Sequence, residues 1–183
     1  DSKKYPHLER SLHILSPWMV TIGSDATNHS DNLSFEQTNH ILTISSQIEG
    51  NISLLAVRRN QFDLAEGHCK RCLDYSRRLG VEGEDKTTSI FVALRNYINL
   101  RQRQGDPSSA VIFAEEAYNL VVEAYDPVHL QVQEAASCLI GCLIQQGDLF
   151  NAERYAEQTY ANLKDIKNGI DQESDAVGQG AYN

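Results

Sequence analysis

The sequence has few of the features that mark membrane proteins or cofactor-dependent enzymes. Its longest apolar run, from Leu139 to Ile144, is far shorter than the ~20 residues that a helix needs to cross a bilayer. It contains no glycine-rich phosphate loop and no Ser/His/Asp or Cys/His arrangement that a repeat pattern would assemble. Only four prolines occur among 183 residues, which permits long helices. We therefore expect a helical protein with no membrane contact, no cofactor and no catalytic role.

Basic residues are scarce relative to acidic ones. The formal net charge is −9, from 16 Lys and Arg against 25 Asp and Glu. Such a balance disfavours nucleic-acid binding, because phosphate contacts require clustered Lys and Arg. The middle is an exception, since residues 58–103 hold ten basic and six acidic residues. This basic stretch could attract an acidic peptide, or it could be a set of solvated helix faces.

Cysteine is also scarce, with four residues in the chain. Two of them lie in His68-Cys69-Lys70-Arg71-Cys72, a spacing that invites comparison with a zinc site. The other two, Cys138 and Cys142, lie far along the chain. All four cysteines fall at positions where the repeat pattern predicts residues that pack between helices. We therefore predict small buried hydrophobes and no metal site. The absence of a disulfide framework favours a reducing compartment, hence a cytoplasmic location.

Three similar turns divide the chain into comparable units. Gly105-Asp106 and Gly147-Asp148 each separate two apolar helical stretches, and the glycine is expected to end one helix while the aspartate caps the next. Asn60 takes the place of glycine in a weaker copy. The alanines that follow these turns stand at 65, 110 and 152, spacings of 45 and 42 residues. Self-similarity at this period predicts a stack of helix pairs.

The helix boundaries follow from caps and breakers. Ser34 and Gln37 form a capping-box pattern that opens the first helix. The pattern predicts a solenoid over residues 34–168, with repeats at about 34–81, 82–125 and 126–168. Gly169 is expected to close the third pair, and residues 169–183 to begin a fourth that is cut off mid-helix. Residues 1–33 are expected to be a cap, a linker or a degenerate repeat.

Aligned rows of small residues run along the second helix of each pair. The rows are Ala65, Cys69 and Cys72; Ala110, Ala114 and Ala117; and Ala152, Ala156 and Thr159. Small residues at this spacing allow neighbouring helices to approach closely. The pattern resembles the tetratricopeptide repeat superfamily, and the long period resembles the ~42-residue repeats of kinesin light chains. The resemblance is carried best by residues 123–129, followed by Gly147-Asp148, and by asparagine at matching positions 51, 96 and 183.

This resemblance implies an all-α, right-handed solenoid of antiparallel helix pairs, with three pairs and a truncated fourth. It also implies a concave groove, lined by the first helix of each pair, that holds a peptide or a partner protein. Arg95 and Asn99 stand four apart and resemble half of a carboxylate clamp, although Cys138 replaces an asparagine in the other half. The expected groove residues are Asn51, Arg58, Arg95, Asn96, Asn99, Arg103, Ser137 and Gln145.

The resulting hypothesis is a non-catalytic scaffold that binds a peptide or partner protein, with acidic peptides favoured by the basic strip. The alternative is a structural repeat segment of a larger multidomain protein, such as a motor-cargo adaptor, whose activity lies elsewhere. An RNA-binding helical repeat would need a consistent basic row, which is absent from the sequence. A zinc enzyme would need the ligand set that the cysteine spacing does not provide.

Overall fold

In the computed structural model of the chain, six α-helices make up almost all of the described residues between 33 and 180, and these described residues contain no strand. The structure describes the backbone of residues 33–80 and 84–180, and the side chains of residues 33–80 and 85–164. It also describes seven positions between residues 6 and 17. The helices are α1 (Phe35–Arg58), α2 (Phe62–Arg78), α3 (Glu84–Gln104), α4 (Pro107–Ala124), α5 (Leu130–Gln146) and α6 (Leu149–Gly180). The roles expected for residues 1–33 lie almost wholly outside the described residues.

The helix starts confirm the caps that the sequence predicts. Ser34 accepts a hydrogen bond from the Gln37 backbone N–H at 3.1 Å, and the Gln37 side chain accepts one from Ser34 N–H at 2.9 Å. This reciprocal pair satisfies two N–H groups that α1 itself leaves unbonded. Asp106 and Asp148 accept in the same way from the backbone of Ser109 and Asn151, both at 3.1 Å.

The three turns within the predicted pairs share one backbone conformation. Gly105 has φ +74° and Gly147 has φ +90°, both left-handed, as a C-terminal glycine requires. Asn60 has φ +57°, so it occupies the glycine position as predicted. Asparagine is among the few non-glycine residues that enter this region at modest cost.

The predicted end of the last helix is wrong. We expected a stop near Lys167 and Gly169, whereas α6 continues without a break to Gly180. A lone glycine costs a helix about 1 kcal/mol relative to alanine but does not stop it unless a left-handed turn or a proline follows. No proline follows Gly169. Residues 169–180 therefore extend α6 and do not open a separate helix.

Consecutive helices pack against each other, and α1 also packs against α3. The contacts give the directions of the helices. Asn39 bonds Gly80 while Glu49 pairs with His68, so residue numbers rise along α1 as they fall along α2. Tyr97 likewise stacks on Phe113 with ring centroids 4.5 Å apart, and Thr88 lies 3.3 Å from the Tyr125 hydroxyl. Both α1–α2 and α3–α4 are therefore antiparallel.

The small-residue rows of α2 and α4 are core positions, as predicted. Ala65, Cys69, Cys72, Ala110, Ala114 and Ala117 are all buried. The third row differs, because Ala152 is buried while Ala156 is exposed and Thr159 is half-buried. Among the helices of the described residues, only α5 makes extensive contact with α6. One face of α6 is therefore left open.

None of the helices in the described ranges is long and apolar enough to cross a membrane.

Candidate peptide-binding groove

The helices α1, α3 and α5 lie side by side. α1 and α3 approach so closely at Gly50 that a Cβ atom there would lie 2.9 Å from Asn96 Nδ2 and 3.4 Å from Cys72 Sγ. Glycine at this position is therefore a means of close helix approach. The contact brings the middle of α1 against the middle of α3.

Three polar contacts join α3 to α5. Gln131 donates to Thr88 at 2.8 Å, and Arg95 donates to Glu134 at 3.1 Å. Gln102 donates to Cys142 Sγ at 3.4 Å. Residue numbers rise together on the two helices, so α3 and α5 are parallel. The first helices of the predicted second and third pairs are therefore neighbours.

Three cavities open along this row of helices. The largest, about 700 Å³, lies between α1 and α3. A second, about 510 Å³, lies between α3 and α5. A third, about 350 Å³, is bordered by Leu54 of α1, Cys138 of α5 and several residues of α3. Volumes of this size are in the range of ligand-binding sites.

Five of the eight predicted groove residues line these cavities. Asn51 lines the α1–α3 cavity, and Asn96 lines it and the third one. Arg95 lines the second and third cavities, Ser137 the second and Asn99 the third. The remaining three, Arg58, Arg103 and Gln145, are exposed and do not border any of these cavities. The five that line the cavities lie in the middle of their helices, whereas the other three lie in the last turns of α1, α3 and α5.

Asn96 is more deeply placed than a surface contact residue would be. Only 5% of it is exposed, and its Nδ2 lies 4.0 Å from Cys72 Sγ. A buried amide of this kind is held by packing between helices, so it contributes to helix spacing as well as to the cavity walls.

Arg95 is engaged within the protein. Its guanidinium pairs with Glu134 and lies 5.6 Å from the centre of the Phe91 ring. Both members of the ion pair remain about half exposed, with side-chain exposures of 47% and 42%. A peptide carboxylate would have to share or displace Glu134, which lowers the gain expected from Arg95 alone.

Cys138, which replaces an asparagine in the repeat pattern, is half-buried beside Arg95. Burial raises the pKa of its thiol, so it stays neutral at pH 7. The other three cysteines are buried and unpaired, as predicted. Within the described part of the chain, no group of three His, Cys, Asp or Glu residues is arranged to hold a metal ion.

A buried ionic cluster behind this row was not predicted. Glu49 of α1 is 3% exposed; its Oε2 lies 2.5 Å from His68 Nδ1, and its Oε1 accepts from Arg71 Nε at 2.7 Å. Burial alone raises the pKa of Glu49, but the hydrogen bonds from His68 and Arg71 and the Arg71 charge outweigh it, so the pKa lies below its ordinary value.

His68 is buried, and its ring nitrogen is a polar partner of Glu49. One ring nitrogen cannot donate to Glu49 and accept from Arg71 together. We place the proton on Nδ1 facing Glu49, because an ionised carboxylate can only accept. The signal in the sequence is the spacing of His68 and Arg71, three apart on one helix face opposite an acidic residue.

The α1–α3 cavity has a different electrostatic character from the α3–α5 cavity. Glu36 and Asp85 line the first, and none of its lining residues in the described part of the chain is Lys or Arg. The second contains Arg95, already paired with Glu134. The described lining of the α1–α3 cavity is therefore net negative, whereas the charges that line the α3–α5 cavity balance.

No known family matches this sequence, and no curated protein matches it.

Proposed function

We propose that this chain is a non-catalytic protein-interaction module that binds a peptide or a partner segment across α1, α3 and α5. In this proposal the helices form a right-handed solenoid of helix pairs similar to tetratricopeptide repeats, and the protein works in the cytoplasm. The observation that carries the proposal is the row of cavities between parallel first helices, with five predicted polar residues in their walls.

The chemistry of the row suits an extended peptide. Asn51 and Asn99 are amides that can both donate to and accept from a peptide backbone. Exposed apolar atoms of Val92, together with half-buried Leu54, supply contact surface for side chains. This mixture of a few polar groups and apolar surface is typical of peptide recognition in helical grooves. Arg95 would contribute by attracting acidic groups over short range.

Selection from a random peptide library tests the proposal. We expect the wild-type protein to enrich a peptide family whose binding weakens at least fivefold in the Arg95→Glu variant. Binding should also weaken as salt rises from 50 to 500 mM, because partly exposed charges are screened. If no peptide is enriched by a protein that retains its helical circular dichroism, the proposal is wrong.

A charge-swap variant provides the matched control. Arg95→Glu alone places two carboxylates together, whereas Arg95→Glu with Glu134→Arg restores an ion pair at the same place. If Arg95 contacts the peptide, the double variant stays weak. If the single variant acts only by disturbing α3 and α5, the double variant recovers binding.

A second candidate is a structural segment within a larger assembly, and exposed apolar residues on α6 favour it. Leu149, Phe150 and Tyr160 are 64%, 76% and 68% exposed. Large exposed apolar side chains on one helix often mark contact with another protein. A protein that is folded and helical, but enriches no peptide, would favour this candidate.

A further inference from the structure

The open face of α6 carries a row of residues whose counterparts on α2 and α4 are buried. Ala156, Tyr160 and Leu163 follow Ala152 by four, eight and eleven residues. Ala156 is exposed, and Tyr160 and Leu163 are 68% and 45% exposed. The residues at the same distances from Ala65 and from Ala110 are all buried, namely Cys69, Leu73, Ser76, Ala114, Tyr118 and Val121. The row on α6 is therefore a packing surface without a neighbouring helix among the described residues.

On α2 and α4 the next helix of the chain covers this row. Ser89 of α3 donates to Ser76 at 2.8 Å, and α5 packs against α4. The chain turns back because α2 ends after 17 residues and α4 after 18. α6 instead runs on for 32 residues to Gly180. Within the described residues, the chain therefore does not return onto the row of α6, and a helix of another molecule can occupy that place.

The row has the spacing of a seam between two paired helices. Leu149, Ala156 and Leu163 stand seven residues apart, and Tyr160 lies between the last two. The backbone of α6 stays helical beyond them, where positions 170 and 177 continue the spacing with isoleucine and valine. An apolar repeat of seven residues keeps facing the same partner when two helices supercoil around each other. The seam therefore fits a long helix.

The charges beside the seam favour a second, antiparallel copy of α6. Glu157 and Lys164 are both exposed, and helix geometry places them on the same side of the seam. They stand about 10 Å apart along the helix axis, too far for an ion pair within α6. If two α6 helices run antiparallel about a two-fold axis near residue 161, Glu157 of each copy lies opposite Lys164 of the other. Tyr160 then lies opposite Leu163, so the seam is complementary to itself.

We infer that two copies of this chain associate through α6 in this antiparallel arrangement. Each α6 covers the row of the other as α5 covers the row of α4. The orientation is the same, because α3 is antiparallel to α4 and parallel to α5. Apolar contacts at Tyr160 and Leu163 stabilise the pair, and the contacts between Glu157 and Lys164 set its direction. This goes beyond the proposed function, since α6 contributes no described residue to the three cavities.

Sedimentation equilibrium of the full chain tests the inference. We expect the mass of the wild-type protein to rise from one chain to two, and to stop there, as its concentration is raised to the millimolar range. Leu163→Asp should weaken the dimer at least tenfold, because it places a carboxylate in the apolar seam. Ile112→Asp is the matched control and should leave association unchanged, since Ile112 is a 63% exposed residue of α4 outside the seam. Circular dichroism checks that both variants are folded.

Charge exchange tests the direction of the pairing. Glu157→Lys alone and Lys164→Glu alone should each weaken self-association at least fivefold, because like charges then face each other. An equimolar mixture of these two variants should dimerise as tightly as wild type, since they carry opposite charges at both positions. The variant with both substitutions should do the same. Rising salt should weaken the wild-type dimer, because exposed charges are screened.

Three results would overturn the inference. They are a protein that stays monomeric at millimolar concentration, a mass that keeps rising beyond two chains, and single charge variants that associate as tightly as wild type. The outcome is separable from that of the proposed function. A monomeric protein that binds library peptides through Arg95 would support the proposed function and refute this inference alone.

Discussion

Replacing Glu49 by alanine should destabilise the protein far more than replacing an exposed glutamate that also binds arginine. Glu49 is 3% exposed and holds two partners from α2, His68 and Arg71. Removing one member of a buried pair costs about 3–5 kcal/mol, because the remaining group is left buried and unpaired. The Arg71 side chain is 46% exposed and can return to water. We therefore expect Glu49→Ala to lower the free energy of unfolding by an amount near the lower limit of this range, about 3 kcal/mol.

Glu116→Ala is the matched control. Glu116 binds Arg77 at 2.5 Å, but their side chains are 43% and 53% exposed. A surface pair of this kind contributes about 0–1 kcal/mol. Both substitutions remove one carboxylate from an arginine and change the net charge equally. Urea unfolding followed by circular dichroism at 222 nm would compare them, with similar denaturant slopes required for a valid comparison.

The pH dependence of stability gives a second test of the buried interactions of Glu49. The folded-state pKa of Glu49 lies below its ordinary value of 4.5. Its contribution is therefore complete above about pH 4.5 and is lost as the pH falls through the lower folded-state value. The difference in the free energy of unfolding between wild type and Glu49→Gln should narrow as the pH falls below about 4.5. If Glu49→Ala costs no more than Glu116→Ala at pH 7, the buried-pair argument is refuted.

Two further predictions concern the turns and the thiols. Gly147→Ala should lower the free energy of unfolding in urea by about 1–2 kcal/mol. The φ of Gly147 is +90° and nothing lies within 4 Å of an added Cβ, so the cost is backbone strain alone. Asn60→Gly, at φ +57°, should not destabilise the protein, and a marked loss of stability there would contradict the left-handed assignment. Cys138 should react with a thiol reagent before the buried cysteines, since burial raises the pKa of Cys69 to about 12 and that of Cys142 to about 11; a fast reaction that persists in Cys138→Ser would contradict this.

The sequence was sufficient for the helix starts and turns because these depend on local chemistry. Ser34 with Gln37, Asp106 and Asp148 each use a side chain to satisfy nearby N–H groups, and the pattern is visible in a few residues. Asn60 could be recognised because asparagine tolerates a left-handed backbone.

Long-range consequences were harder to predict. The helix end near Gly169 was wrong because a glycine stops a helix only when the following chain turns away. Ala156 is exposed because burial depends on a neighbour packing against that face of α6, which local sequence does not encode. Glu49 was missed because a glutamate in a helix is ordinarily a surface residue, and its partners lie on another helix.

Arg101 illustrates the same limit. The resemblance to tetratricopeptide repeats implies a large apolar residue at this position. Arg101 is instead half-buried, and it donates to Glu66 at 2.6 Å and to Gln104 at 2.9 Å. Its methylene groups can fill part of the apolar position while its charge reaches α2. The acidic partner on α2 offsets part of the cost of half-burying this charge.

Mapping a bound peptide tests the central claim most directly. A peptide selected from the library would be added to nitrogen-15-labelled protein, and the side-chain amide signals of Asn51, Asn99 and Asn119 would be followed. Asn119 is an exposed residue of α4, outside the groove. The groove across α1, α3 and α5 predicts shifts at Asn51 and Asn99 and none at Asn119. Shifts confined to Asn119, or to backbone amides of α6, would contradict it and place recognition on another face of the molecule.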